Sequence, residues 1–484
     1  MSASHDYDVI VIGTGLGGAS AAESLAVSGL KVGILERGTW WGAFGGHRPT
    51  PETLPQLAAA LTRLNMSTFG RGLSIPISGR GMLELSFHGG TIVVNCSAVG
   101  GNSAFSGALL QRPAPQFFDA LPPELTGAEL APHYERIERA LQVSAGPRDQ
   151  RKVGVLTALA EKEHWRVQST PRAIRWESDD AAARPPCTNC NLCAFSCNVG
   201  AKLGMDQTLI PSAIKAGAVL RGLCEVQTVE PVPGGYEVRF HDQREGRSAA
   251  VRAPRVVVSA GTMNTLKILL RSAANGLGKI PGLGQHFSMG GDTLAFYRVP
   301  RDVAPEKIEG HFLDAQMLVP GAENKFDHHT LCLPAPFIGG SRLLRLLQGR
   351  RTLPLFGFGP DAMDGEVNWN GRGIVVRHKP QAVVARIQST HDRIAQEFGR
   401  KKSPRPVNSE RRARPWISCH PIGGCRMATD AGRGVVNFRG EVFGHPGLYV
   451  ADASIFPTMT IGGPQLSVSA LASWIAERIV KDAA

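Results

Sequence analysis

Gly13-Thr14-Gly15-Leu16-Gly17-Gly18, set between an apolar run and a small-residue stretch, constrains the fold of this chain more than any other feature. Tyr7 to Ile12 reads as a buried parallel strand, residues 17–28 as a helix, and Lys31 to Leu35 as a second strand with Glu36 at its end. In such a G-x-G-x-x-G turn Gly13 permits the tight bend, Gly15 lets the backbone approach a pyrophosphate, and Gly18 lets helix pack on strand. The helix N-terminus then faces the phosphate charge. Glu36 is placed to accept hydrogen bonds from a ribose diol. The expected class is α/β with a Rossmann-like dinucleotide-binding domain. An acidic residue at this point favours a free ribose over a 2′-phosphate and does not separate NAD from FAD.

The separation comes from the rest of the chain. No second strand-turn-helix unit of this kind is present, so the usual sign of a separate NAD(P)H domain is missing. Glycine-rich contacts continue instead, as an extended FAD requires. Gly100-Gly101-Asn102-Ser103 follows a strand expected at Thr91 to Asn95, and Ala260-Gly261 joins a strand at 255–260 to a helix over 263–271. Other expected elements are a helix-like stretch at 54–64, an amphipathic helix at 129–142, and strands at 218–229 and 236–240. The periodicity fades over 290–410, where Pro, Gly and basic residues rise. The expected organisation is an FAD-binding domain assembled from residues 1–150, 181–290 and 411–484, with a second, α+β substrate domain at 291–410.

Charge and leader sequence narrow the setting. The first eight residues carry neither a basic region nor an apolar core, and no stretch reaches about 18 uncharged apolar residues, so a transmembrane segment is not expected. The nine cysteines suit a reducing compartment, and the expected location is cytoplasmic or peripheral to a membrane. A net charge of +12 would permit nucleic-acid binding, but 6% aromatics without basic-aromatic interleaving argue against it. Arg400-Lys401-Lys402 and Arg411-Arg412-Ala413-Arg414 read as a solvated loop or as a docking patch for an anionic partner, such as an acidic carrier or lipid headgroups.

Near the C-terminus, Ser418-Cys419-His420-Pro421-Ile422-Gly423-Gly424-Cys425-Arg426-Met427 precedes Leu448-Tyr449-Val450-Ala451-Asp452-Ala453-Ser454. A histidine on a glycine-rich turn, then an apolar strand ending in Asp, suits a base at the edge of a flavin ring. With the fingerprint at 13–18 and the Val99 to Ser106 segment, this block resembles the glucose-methanol-choline (GMC) oxidoreductases, nearest to their cholesterol-oxidase-like and long-chain-alcohol-oxidase-like branches. The resemblance implies FAD as cofactor, His420 as catalytic base, Asp452 against the flavin ribityl chain, and Pro464 and Gln465 as further cofactor contacts. One departure stands out. Where the family commonly has Asn-Pro ahead of the last helix, this chain has Gly463-Pro464, and the polar partner for the substrate oxygen is missing. Gln465, Asn102 or a residue of the substrate domain is left to replace it.

Cys187-x-x-Cys190-x-x-Cys193-x-x-x-Cys197 has the spacing of a bacterial ferredoxin run, although Asn198 stands where such runs place Pro and no second run exists. An iron–sulfur cluster, with Cys224 as a distant ligand, a zinc site and buried thiols remain the three readings. Cys419 and Cys425 are expected to pack, and His328-His329 to lie in an exposed loop. The expected function is hydride transfer from a CH–OH group of a small apolar or biosynthetic alcohol to flavin, with oxygen or another electron acceptor downstream. A lyase or isomerase on the same flavin scaffold, or an iron–sulfur electron-transfer flavoprotein, is the alternative.

Overall fold

The computed structural model describes residues 5–41, 61–68, 71–76, 81–88, 91–146, 160–161, 164–182, 184–188, 193, 197, 199–298, 315–320, 326–332, 352–358, 361–378, 392, 396, 416–460 and 462–483. β1 (Val9–Ile12), α1 (Leu16–Val27) and β2 (Val32–Leu35) form the expected strand-helix-strand unit. Further along lie α2 (Gly127–Ala140), α3 (Leu209–Lys215) and β3 (Val219–Arg221). A hairpin pair follows in β4 (Cys224–Val232), β5 (Gly235–Asp242) and β6 (Arg247–Ala253), and then β7 (Arg255–Val258) and α4 (Thr262–Ser272). β8 (Leu448–Val450) and α5 (Gln465–Lys481) close the chain.

Five of these strands make one parallel sheet in the order β3-β2-β1-β7-β8. All four residues of β1 and of β2 are buried, as continuous apolar runs in a sheet covered on both faces must be. α1 presents Gly17, Gly18, Ala19, Ala21 and Ala22 to the interior, so its backbone approaches the sheet and α5 closely. α2 starts at Thr126, whose hydroxyl accepts the Glu129 N–H, and buries Leu130, Tyr134 and Ile137 at helical spacing. Its Tyr134 hydroxyl donates to Ser467 on α5 at 2.9 Å. The fold thus draws its parallel sheet from both ends and the middle of the sequence.

Two further sheets flank it. One is antiparallel, in the order Thr293–Arg298, Thr352–Phe358, Phe326–Cys332, Ala315–Pro320, Arg166–Ser169. The other runs Trp416–Ser418, Thr91–Cys96, Leu83–His88, Leu61–Thr68, Arg71–Pro76. Four expectations change here, the first being the strand at 218–229, which is two strands, β3 in the parallel sheet and β4 in the hairpin pair. Residues 61–64 belong to a strand paired on both sides, so that part of the helix-like stretch is not helical, while 54–60 lie outside the described residues. A short apolar run is ambiguous between helix and strand until it is paired. His328 and His329 lie in a strand rather than a loop. β6 was not expected, because the sheet buries few of its residues and its pattern carries little apolar signal. The basic stretches at 400–402 and 411–414 lie outside the described residues.

Two pairings position the C-terminal turn. Trp416–Ser418 runs parallel to Thr91–Val93, and Ile422–Gly423 pairs antiparallel with Phe287–Ser288. His420 is therefore held between the segment that leads to Gly100 and the segment that leads to Asp292.

Candidate active site

A cleft of about 1310 Å³, open solvent included, opens at the ends of β1, β2 and β7. Gly13, Thr14, Gly15 and Gly17 line it on one side, and His420, Pro464 and Gln465 belong to the same lining. The four glycines of the fingerprint do different work. A Cβ at Gly13 (φ +96°) would lie 2.3 Å from the Ser259 carbonyl oxygen, one at Gly17 1.8 Å from the Ala451 oxygen, and one at Gly18 2.1 Å from the Gly13 oxygen. These three are packing glycines. A Cβ at Gly15 would meet only the Gly101 Cα, at 4.0 Å, and would project into the cleft. Gly15 is also the N-cap of α1 and makes no side-chain cap, so the first N–H groups of the helix are left for an anion.

Glu36 stands at the end of β2 as expected. Its carboxylate accepts the Thr14 N–H (3.0 Å), the Thr14 hydroxyl (2.6 Å) and the Gly38 N–H (2.7 Å). Burial raises its pKa, and those donors oppose the rise. Arg37 beside it pairs with Glu84 and donates to the Ser97 hydroxyl at 2.7 Å. Burial opposes its charge, yet Glu84 and Glu225 hold its pKa above the ordinary arginine value. Thr14, Gly17, Arg37 and Asn264 line the cleft without having been anticipated. Thr14 and Gly17 occupy variable places in the motif, where a sequence pattern carries no instruction.

Gly101, where a Cβ would lie 2.7 Å from the Gly15 Cα, and Asn102 also line the cleft, while Gly100 and Ser103 are not part of its lining. Ser103 donates to the Gly100 carbonyl at 2.6 Å and accepts the Met205 N–H at 2.9 Å, which fixes the turn. Asn102 Oδ1 accepts the Cys96 N–H at 2.8 Å. Ala260, Gly261 and Asp452 also line the cleft. Asp452 Oδ2 accepts the Gly261 N–H (2.9 Å) and the Thr265 hydroxyl, and Oδ1 accepts the Ser454 N–H (2.9 Å) and hydroxyl (2.6 Å). Those four donors fill the acceptor sites of a carboxylate. A ligand hydroxyl reaches Asp452 only by exchange with the Thr265 or Ser454 hydroxyl. Burial raises the Asp452 pKa despite these bonds.

At the other end of the cleft, His420 Nδ1 lies 2.9 Å from Asp292 Oδ1. The second Asp292 oxygen accepts the Cys419 N–H at 2.7 Å, and the carboxylate side chain is 2% exposed. Because a carboxylate only accepts, the shared proton sits on Nδ1, which in the neutral ring makes Nε2 the acceptor nitrogen. The Phe356 ring is tilted against the imidazole at 6.4 Å between centroids. Asp292 was not anticipated, since it lies at the start of the weakly patterned region. Gln465 accepts from Ser106 at 3.4 Å, and a Cβ at Gly463 would meet Leu109 at 3.6 Å. Cys425 is buried and Cys419 lines the cleft; burial pushes both thiols well above the ordinary range.

The cysteine run lies apart from this cleft. Cys190 is outside the described residues. Cys197 Sγ accepts the Ala201 and Lys202 N–H groups at 3.1 and 3.3 Å, and burial pushes the Cys193 thiol up to about 12. Lys202 Nζ donates to the Cys193, Ala104 and Ser106 carbonyls at 2.7, 2.8 and 3.1 Å, which ties this loop to the turn after Gly101. Among the described residues no group of three or more His, Cys, Asp or Glu is arranged to hold a metal ion, so the iron–sulfur and zinc readings find no support there. Cys224 lines the cleft described above instead of joining the run. Among the described residues no helix is long and apolar enough to cross a membrane.

The open backbone at Gly15, the uncapped helix N-terminus, the carboxylate ending β2 and the long cleft fit a dinucleotide. Comparisons agree with that geometry. An uncharacterised GMC-type oxidoreductase of Mycobacterium tuberculosis is 27% identical, covering 98% of this chain and 76% of the relative. A long-chain-alcohol oxidase of Arabidopsis thaliana is 25% identical (98% and 67% covered), and a cholesterol oxidase of M. tuberculosis 23% (96% and 90%). The structure of pyridoxine 4-oxidase from Mesorbium loti superposes with a TM-score of 0.67 at 17% identity, over 97% of this chain and 98% of that one. The GMC oxidoreductase N-terminal model matches residues 7–289 and the C-terminal model residues 368–472, and this chain belongs to the GMC oxidoreductase family, whose members bind FAD.

Proposed function

We propose that this protein oxidises a CH–OH group of an apolar alcohol, with His420 as the base. The observation that carries this reading is the imidazole tied to Asp292 in the same cleft as the glycine turn at 13–18. Gly15, the α1 N-terminus and Glu36 would hold the pyrophosphate and ribose; Gly101, Asn102, Ala260, Gly261, Asp452, Pro464 and Gln465 would border the remainder. Bound FAD supplies the acceptor for the hydride that leaves the carbinol carbon. The hydroxyl O–H bond breaks at the same centre, and its proton passes to His420 Nε2. The Phe356 ring against the imidazole makes the histidine's surroundings partly apolar, which suits a hydrocarbon-bearing alcohol better than a sugar. The alcohol oxidases among the relatives support the same class.

The test is anaerobic mixing of the yellow holoenzyme with primary and secondary alcohols of increasing chain length. Bleaching of the flavin by an apolar alcohol is expected. His420→Ala should keep its FAD and lose about 10²–10⁴ in reduction rate, the usual contribution of a general base. Product formed while the flavin stays oxidised would replace this reading with a lyase or isomerase.

A further inference from the structure

We propose that Asp292 is the positioning residue for the base, and that it takes over the task left open by glycine at position 463. This inference rests on the reading of His420 given above. An alcohol oxidation of this kind needs a base held in the tautomer that accepts at the nitrogen facing the substrate, and a way to stabilise the charge that the base acquires. In a site with two polar groups the second one shares that work by holding the substrate oxygen. Here Gly463 offers no side chain, and its neighbour across the gap is Leu109. The Asp292–His420 pair meets both needs from one side.

The geometry is specific. One Asp292 oxygen takes the imidazole Nδ1–H at 2.9 Å, and the other takes the Cys419 backbone N–H at 2.7 Å. Ring and main chain of two consecutive residues are thus held by one buried carboxylate. The ring orientation is fixed, Nε2 is the acceptor, and an imidazolium formed at Nε2 would lie against a negative charge with little water to screen it. Asp292 itself exchanges no proton and keeps accepting from Nδ1 throughout.

The carboxylate is in turn held in place. The Phe287–Ser288 pairing with Ile422–Gly423 fixes the start of its segment to the far side of the histidine turn. Ser418 donates to the Met289 carbonyl, and the Ser288 hydroxyl accepts the Gly290 N–H at 2.9 Å. A Cβ at Gly290 (φ +81°) would come within 2.7 Å of the His420 carbonyl oxygen, so the two segments touch backbone to backbone. Asp292 therefore reaches His420 from a strap with little freedom to move.

Asp292→Asn is the informative substitution. The Asn carbonyl can still accept from Cys419, but its amide then points N–H at Nδ1, and the ring answers by moving its proton to Nε2. The base is blocked without loss of shape. Two readouts decide. On the FAD-loaded protein labelled with ¹⁵N-histidine, with His420→Gln identifying the signal, wild type should show an unprotonated Nε2 and Asp292→Asn a protonated one. In anaerobic flavin reduction by 1-octanol, kcat should fall about 10³–10⁴-fold, on the scale of removing the carboxylate from a catalytic His–Asp pair. KM should stay within a few-fold, with FAD content unchanged. Asp292→Glu should restore part of the rate if the carboxylate is what matters.

An unchanged tautomer, or reduction within threefold of wild type, would overturn the proposal. If His420→Ala reduces flavin like wild type, the reading of His420 fails instead, whatever the tautomer shows. If 1-octanol does not reduce the wild-type flavin, the ¹⁵N tautomer alone decides.

Discussion

The turn at 13–18 and the turn at 418–424 border one cleft and are both rich in glycine, yet they work by opposite means. At the first, what matters is backbone: three glycines let α1 close on β1 and on the ends of β7 and β8, and the fourth leaves bare N–H groups at the cleft. At the second, what matters is one side chain, and it is held by a carboxylate 128 residues earlier in the sequence. A site made of backbone is encoded where it stands. A site made of a side-chain pair is encoded in two places, and only the fold brings them together.

The comparison breaks first, and with the largest effect, at Gly17. Gly17→Ala puts a methyl 1.8 Å from the Ala451 carbonyl, where neither helix nor strand can yield cheaply. It should cost about 3 kcal/mol in urea unfolding of the apoprotein, at the upper end for overpacking, and should release FAD through misplacement of α1. Gly15→Ala is the control. Its methyl faces the cleft, so stability should fall by no more than about 1 kcal/mol, the scale of an altered N-cap, while FAD affinity drops in a fluorescence titration. Equal destabilisation by both would show that the fingerprint glycines cannot be divided into packing and ligand roles.

The same contrast explains what could be read from the chain. β1, α1, β2 and Glu36 were legible because strand, turn and helix are consecutive and each residue's task is local. Asp452 and His420 were singled out through a resemblance to a family, and both line the cleft. Asp292 was not, since nothing around it has a period or a motif, and its partner becomes visible only when Phe287–Ser288 pairs with Ile422–Gly423. The strand at Leu61–Thr68 was hidden for the same reason, as its pairing partners determine its state more than its own pattern does. The ferredoxin-like cysteine spacing shows the converse. Such a spacing can be present while no group of three or more potential ligands among the described residues is arranged to hold a metal ion.

Asp452 lies between the two styles, a side chain whose four acceptor sites are all taken by local donors. Burial raises its pKa above the unfolded value. Stability from such a shift is present at pH below the unfolded pKa and is lost as pH rises through the folded one. Asp452→Asn cannot ionise, and it loses one amide bond at every pH. The variant should therefore be less stable than wild type in acid and close part of that gap as pH is raised to neutrality, in urea unfolding of the apoprotein. A gap that widens with pH would mean that the local donors outweigh burial.

The smallest effect is expected at Gly463. Its backbone is not in the left-handed region, and a Cβ there meets only Leu109, at ordinary contact distances of 3.6 Å and more. Gly463→Asn should thus fold with stability within about 0.5 kcal/mol of wild type. Its kinetic consequence bears on how the two turns divide the work. If the carboxylate behind His420 already stabilises the charge that builds on the ring, a new amide across the cleft has little left to add, and flavin reduction should change by less than threefold. A tenfold gain would show that the site still lacks a polar contact on that side and that the Asp292–His420 pair does not stand in for it.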